Sequence, residues 1–131
     1  MITLQEITAD TIRSILKLNV AENQKNYVAP NAVSVSQAYF DKKAWFRAIY
    51  NDDTPVGFVM LSIDTEKPEY WLWRFMVDHN YQKRGFGYHA MELVIKHVRT
   101  LPKATQFNLS YATRSWRPLA VLYQTWFCRN R

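Results

Sequence analysis

Apolar and polar residues alternate over Ile2-Thr3-Leu4-Gln5-Glu6-Ile7, the period of a half-buried strand. The spacing then turns helical at Ile12, Ile15, Leu16 and Leu18, with Thr8 or Asp10 as the predicted cap. Residues 21–33 show no period and contain Pro30, which predicts a helix end and a loop. Ser34 or Ser36 is expected to cap a short helix running to about Lys43. Ala44–Tyr50 and Val56–Ile63 read as strands around an Asn51-Asp52-Asp53-Thr54-Pro55 turn. Beyond Glu66-Lys67-Pro68-Glu69, Tyr70–Val77 is almost continuously apolar and aromatic, as in a central buried strand. Three neighbouring strands on tight turns predict an antiparallel meander.

The segment Asp78-His79-Asn80-Tyr81-Gln82-Lys83-Arg84-Gly85-Phe86-Gly87 comes next, followed by a helix with Tyr88, Met91, Val94, Ile95 and Val98 on one face. Pro102 lies just past its end, and Gln106–Tyr111 is a further strand. Strand, glycine turn, helix and strand make a β-α-β crossover, so Tyr70–Val77 and Gln106–Tyr111 are expected to run parallel. The predicted class is α/β (α+β): a mixed, mostly antiparallel central sheet flanked by helices. No repeat or low-complexity segment interrupts it.

A chain of 131 residues fits one domain, and 48% hydrophobic residues are enough to build its core. Cys128 is the single cysteine, which excludes an internal disulfide or a Cys-rich zinc module. His79, His89 and His97 have no carboxylates at ligand spacing, so no metal is expected. No apolar run reaches membrane-spanning length, and Met1–Glu6 lacks a signal-peptide layout; a cytoplasmic protein without a membrane partner is expected. All 11 acidic residues fall in 1–111 beside 13 of the 17 basic ones, a net charge of +2. Residues 112–131 add Arg114, Arg117, Arg129 and Arg131 and no acid. A basic nucleic-acid module would rest on that tail alone and ranks last; no nucleic-acid partner is expected.

The informative chemistry lies in Gln82-Lys83-Arg84-Gly85-Phe86-Gly87, between a buried strand and a helix. Helix N-termini carry unpartnered N–H groups and partial positive charge, which suit an anionic pyrophosphate. Gly85 and Gly87 remove Cβ atoms from its approach, and Lys83 and Arg84 add charge. Alternatively, the glycines shape a turn and the basic pair is solvated surface. A dinucleotide fingerprint does not fit, because the third glycine is Ala90 and three antiparallel strands come first.

This segment resembles the Q/R-x-x-G-x-G/A signature of the GCN5-related N-acetyltransferases (GNAT superfamily), and the element order over roughly residues 1–111 agrees. Trp71–Asp78 running into Tyr81–Tyr88, together with Tyr27-Val28-Ala29-Pro30-Asn31, is more narrowly similar to the bacterial spermine/spermidine acetyltransferases. The resemblance implies acetyl-CoA as co-substrate, no metal, and a small-molecule amine, such as spermine or spermidine, as acceptor. A homodimer is frequent in the superfamily. It further implies that backbone groups of Met76 and Val77 bind the pantetheine arm and that Gln82, Lys83, Arg84, Gly85, Phe86 and Gly87 hold the pyrophosphate. Transfer is direct and needs a neutral amine, so a base must first deprotonate an ammonium with a pKa of about 10.4. Acceptor-lining candidates are Glu22, Asn23, Tyr27, Asn31 and Trp73, with solvated loop or core as the alternative for each. Arg74 is expected against substrate or an acid such as Asp78, and Glu69, Tyr70 and Trp73 are candidates to meet an ammonium.

Family members carry a C-terminal tyrosine that protonates the leaving thiolate, in a signature of roughly F/L-Y-x-K-x-G-F. Here Tyr123-Gln124-Thr125-Trp126-Phe127-Cys128-Arg129 stands instead, without the Lys and Gly. Tyr123 is the candidate catalytic tyrosine; otherwise it is a packed aromatic. Read one nucleotide forward, the codons of Trp126 and Phe127 must yield Gly, and their neighbours can yield F-Y-T-K-L-G-F-V-E. Residues 1–111 are therefore read as an acetyl-CoA-binding core and 112–131 as an atypical tail, out of frame from about residue 112, with a truncated or altered C-terminal strand pair. A divergent natural tail is the alternative. An acetyl-CoA-binding but catalytically impaired protein is the alternative function.

Overall fold

A computed structural model describes residues 1–25 and 29–109. Tyr27, Tyr123 and the whole of 112–131 lie outside those residues. The backbone forms strands β1 (Ile2–Gln5), β2 (Ala44–Asn51), β3 (Thr54–Asp64), β4 (Glu69–Val77) and β5 (Asn108–Leu109), with helices α1 (Ile12–Leu16), α2 (Asn31–Phe40) and α3 (Phe86–Val98). The sheet runs β1-β2-β3-β4-β5. The first three pairings are antiparallel. The β4–β5 pair is parallel, with Trp71 opposite Asn108 and Leu72 opposite Leu109, as the crossover requires. Asp52 and Asp53 alone join β2 to β3, with Asp52 at φ 54°, in the left-handed region that a short side chain tolerates in a tight hairpin.

Each face of the sheet carries its own apolar layer. Val59, Leu61, Tyr70, Phe75 and Val77 pack with Ala90, Met91, Val94, Ile95 and Val98 of α3. Ala48, Phe58, Met60 and Met76 pack with Ile15, Leu18 and Val20 on the opposite side. Gly57 has a steric reason: a Cβ there would run into the Met76 carbonyl of β4.

Several boundaries differ from the expected ones. Helix α2 starts at Asn31 rather than behind a Ser34 or Ser36 cap, because Pro30 at φ −56° already presets the entry. Ser34 is fully buried within it, and Ser36 Oγ bonds back to Ala32 O at 2.8 Å. Neither Thr8 nor Asp10 caps α1. Its N-cap is Thr11, whose Oγ1 instead accepts the Thr8 N–H at 2.9 Å. On α3, Tyr88 turns outward and Ala90 fills the inward position. Strand β4 is buried at its Phe75–Val77 end, whereas Trp71 near its start is 40% exposed.

Candidate active site

The end of β4, the loop after it and the first turn of α3 form one connected unit. Asp78 closes β4, is 5% exposed, and caps a single 3-10 turn over His79–Tyr81. Its Oδ1 accepts the Asn19 N–H at 2.8 Å and its Oδ2 the Asn80 N–H at 3.1 Å. His79 N–H donates to Asn19 O at 2.8 Å, so the chain after α1 is stitched to the head of the loop. Gln82 turns its side chain inward: Nε2 donates to Val77 O and to Gln24 Oε1, both at 2.9 Å. Two segments 58 residues apart thus meet at the last residue of β4.

Lys83 then adopts φ 65° and Gly85 φ 81°. Left-handed backbone is costly for lysine, by roughly 1 kcal/mol, and free for glycine. The loop therefore stores strain where it turns into α3. Gly85 is the N-cap and caps through no side chain; the first helical bond is His89 N–H to Gly85 O at 3.1 Å. First-turn amides lack i−4 carbonyls by geometry. Gly87 is different: a Cβ there would meet Phe75 and Val77 at 3.6 Å, ordinary contact. Packing would accept alanine at that position, and a helix prefers it. Lys83 and Arg84 are exposed at the rim, with the Arg84 guanidinium 5.7 Å from the Tyr81 ring centroid. First-turn amides and positive charge fit a pyrophosphate.

Met76 O is turned into β3, against Gly57, which is not the side an arm between β4 and β5 would occupy, whereas Val77 O holds the Gln82 amide.

On the opposite face, β4 carries a bulge that its uniformly apolar sequence did not reveal. Leu72 pairs with Leu61 and Arg74 with Met60, so Trp73 is skipped in the register. Trp73 and Arg74 consequently both face α1 and α2. Arg74 does not reach Asp78, contrary to expectation. Its Nη1 donates to Trp73 O and its Nη2 to Gln37 Oε1 on α2, both at 3.1 Å, while its Nε is buried without a hydrogen-bond partner. Burial holds its pKa below the usual arginine value. Glu69, Tyr70 and Trp73 do not converge either. Tyr70 packs on the α3 side, donating its hydroxyl to Pro102 O, and Trp73 on the other.

Asn31 is 3% exposed, and its Nδ2 donates to Ile15 O at 2.8 Å, tying α2 to α1 above Met76. Glu22 sits in a 3-10 turn, exposed and paired with Lys25 at 2.8 Å; that hydrogen bond and charge lower its pKa. The described residues contain no cluster of His, Cys, Asp and Glu able to hold a metal. They contain no helix long and apolar enough to cross a membrane.

A parallel strand pair with a glycine-containing loop and a helix N-terminus between its members is an arrangement suited to an anionic group such as a pyrophosphate. The family model described as Acetyltransferase (GNAT) family matches residues 12–117, and the chain belongs to that family. It is an acetyl-CoA-dependent N-acetyltransferase. The spermine/spermidine N(1)-acetyltransferase of Bacillus subtilis (strain 168) is 29% identical over 118 residues, covering 83% of this chain and 76% of the relative. Among solved structures, the spermidine N-acetyltransferase from Vibrio cholerae in complex with CoA and spermine superposes with a TM-score of 0.70 at 18% identity. The match covers 97% of this chain and 79% of that one. The ribosomal-protein-S18-alanine N-acetyltransferase from Escherichia coli gives a TM-score of 0.67 at 13% identity over 96% and 76% of the two chains. Both support the fold.

Proposed function

We propose that the protein transfers acetyl from acetyl-CoA to a primary amine of a polyamine such as spermine or spermidine. The observation that carries the acceptor class is the 29% identity to a spermine/spermidine acetyltransferase over most of both chains. In this reading the amides and glycines of 82–87 seat the pyrophosphate, with Lys83 and Arg84 as counter-charges. Backbone groups of Val77 align the pantetheine arm, and the Gln82–Val77–Gln24 tie keeps that strand end in place. Acetyl-CoA supplies the activated thioester. Trp73, Glu22 and Tyr27 border the acceptor, and Asn31 holds the α1–α2 wall in position. Tyr123 is the proton donor to the departing thiolate. The acceptor is a small molecule, and the site calls for neither nucleic acid nor a membrane.

Calorimetric titration of the purified chain with acetyl-CoA, followed by turnover on an amine panel, tests this. One-site binding with spermine or spermidine acetylation is the expected result. Binding without turnover of any amine would refute the catalytic assignment and favour the impaired reading raised by the missing C-terminal Lys and Gly. Turnover confined to other amines would refute the polyamine assignment.

A further inference from the structure

A groove of about 680 Å³ runs between α2 and the bulge of β4, lined by Val33, Ser36, Gln37, Phe40, Asp41 and Trp73. Its walls are mostly apolar, and Phe40 stands 85% exposed beside it. Its one carboxylate is Asp41, at the C-cap of α2. We infer that this groove seats the second cationic nitrogen of the acceptor, with Asp41 as its counter-charge. The inference rests on the polyamine reading above and extends it to a specificity-determining residue.

Three features argue for a cation at that end. First, the C-terminus of a helix carries partial negative charge, and α2 has no basic residue within its last turn, with Lys42 and Lys43 following only after the C-cap. Secondly, Asp41 Oδ1 is taken by the Lys43 N–H at 2.9 Å, whereas Oδ2 has no partner among the described residues. The Lys43 ammonium pairs with Asp64 Oδ2 at 3.2 Å and also interacts with the Asp41 charge. Thirdly, the aromatic side chains of Trp73 and Phe40 line the groove, a setting that suits an ammonium and the methylenes between nitrogens.

The other end of the groove opposes a cation. Gln37 and Trp73 form its wall, and behind them lies the Arg74 guanidinium, which makes no ion pair among the described residues. Its charge pushes a bound ammonium outward to Asp41. One carboxylate balances one charge, so the groove reads a single nitrogen beyond the one being acetylated.

The test compares spermidine with n-butylamine, which offers a primary amine without further charge. Asp41→Asn keeps the Oδ1 acceptor for Lys43 and removes the charge. Its kcat/KM ratio of spermidine to n-butylamine is expected to fall roughly 5- to 10-fold, chiefly through the spermidine KM. Asp41→Glu should restore most of the ratio. Calorimetric binding of spermidine reads the same change without turnover, as a matching rise in Kd for Asp41→Asn. Spermidine acetylation with an unchanged ratio, or an unchanged spermidine Kd, would overturn the inference alone. Acetylation of n-butylamine but not spermidine by the unaltered protein would overturn the polyamine reading as well. The groove would instead be a surface between two copies of the chain if Phe40→Ser converted a dimer to a monomer without changing the ratio; that result also overturns the inference.

Discussion

Gly85 and Gly87 stand two residues apart in one motif, yet the structure assigns them opposite costs. Gly85 sits at φ 81°, and a Cβ there would meet only His89 Cδ2 at 3.9 Å. Alanine at 85 therefore has space but an unfavourable backbone, about 1–2 kcal/mol. For a chain of this size that lowers Tm by roughly 3–8 °C. Gly87 lies inside α3, and its added Cβ would touch Phe75 and Val77 at ordinary contact distance. Alanine at 87 should be neutral or gain up to about 1 kcal/mol from helix propensity. The methyl would point at Phe75 and Val77 in the apolar layer, and the signature itself accepts alanine at this position. At 85, by contrast, a backbone pushed out of the left-handed region turns the first-turn amides away, and losing one charge-assisted hydrogen bond there costs about 1.5–3 kcal/mol, or roughly 10- to 150-fold in acetyl-CoA Kd. The assay is thermal unfolding and acetyl-CoA calorimetry on both variants. Gly85→Ala should lose stability and affinity together, and Gly87→Ala should keep both. If Gly87→Ala weakens acetyl-CoA binding more than about threefold, or if Gly85→Ala binds within twofold of the parent, the reasoning about this loop is wrong.

Other consequences follow from the same packing. Gly57→Ala should cost about 1–3 kcal/mol by forcing β3 away from the Met76 carbonyl, read as a lower urea midpoint at unchanged m. Asp78→Ala leaves the Asn19 and Asn80 amides without their acceptor and should cost about 2–4 kcal/mol, whereas Asp78→Asn should recover part of it. His97 stacks on Trp45 with centroids 4.4 Å apart, and burial and then the Arg47 charge hold its pKa below 6.5. The unfolded chain therefore takes up the proton first, and stability falls as pH drops from 6.5 through the lower folded value. His97→Phe should remove that component, seen as a smaller difference between urea midpoints at neutral and mildly acidic pH; an equal difference would exclude the His97 contribution.

Much of the fold was legible because local pattern and global topology agree. Alternation at 2–5, the Asp52-Asp53 hairpin and the apolar face of α3 each point to the element observed. The parallel placement of β5 followed from the crossover rule alone. The start of α2 is not legible in the sequence, because serine is ordinarily a capping residue, whereas Ser34 is buried inside the helix and Pro30 sets its entry. The bulge at Trp73 was invisible for a different reason. Register is legible when apolar and polar residues alternate, and Trp71-Leu72-Trp73 offers no alternation from which a skipped residue stands out.

The site was legible where chemistry is carried by adjacent residues and illegible where it is carried by contacts across the chain. Gln82 appeared as one letter of a phosphate motif, but its side chain fastens Val77 O to Gln24, and nothing in either local sequence names the other. Arg74 suggested an acid partner by charge alone, and the bulge turned it to the neutral Gln37 instead. The loop also breaks a local rule, since Lys83 occupies backbone space that only glycine enters freely. A glycine there would have relieved the strain, so the lysine is better explained by its ammonium than by its backbone. That places positive charge beside first-turn amides at one point on the surface, an arrangement suited to an anion.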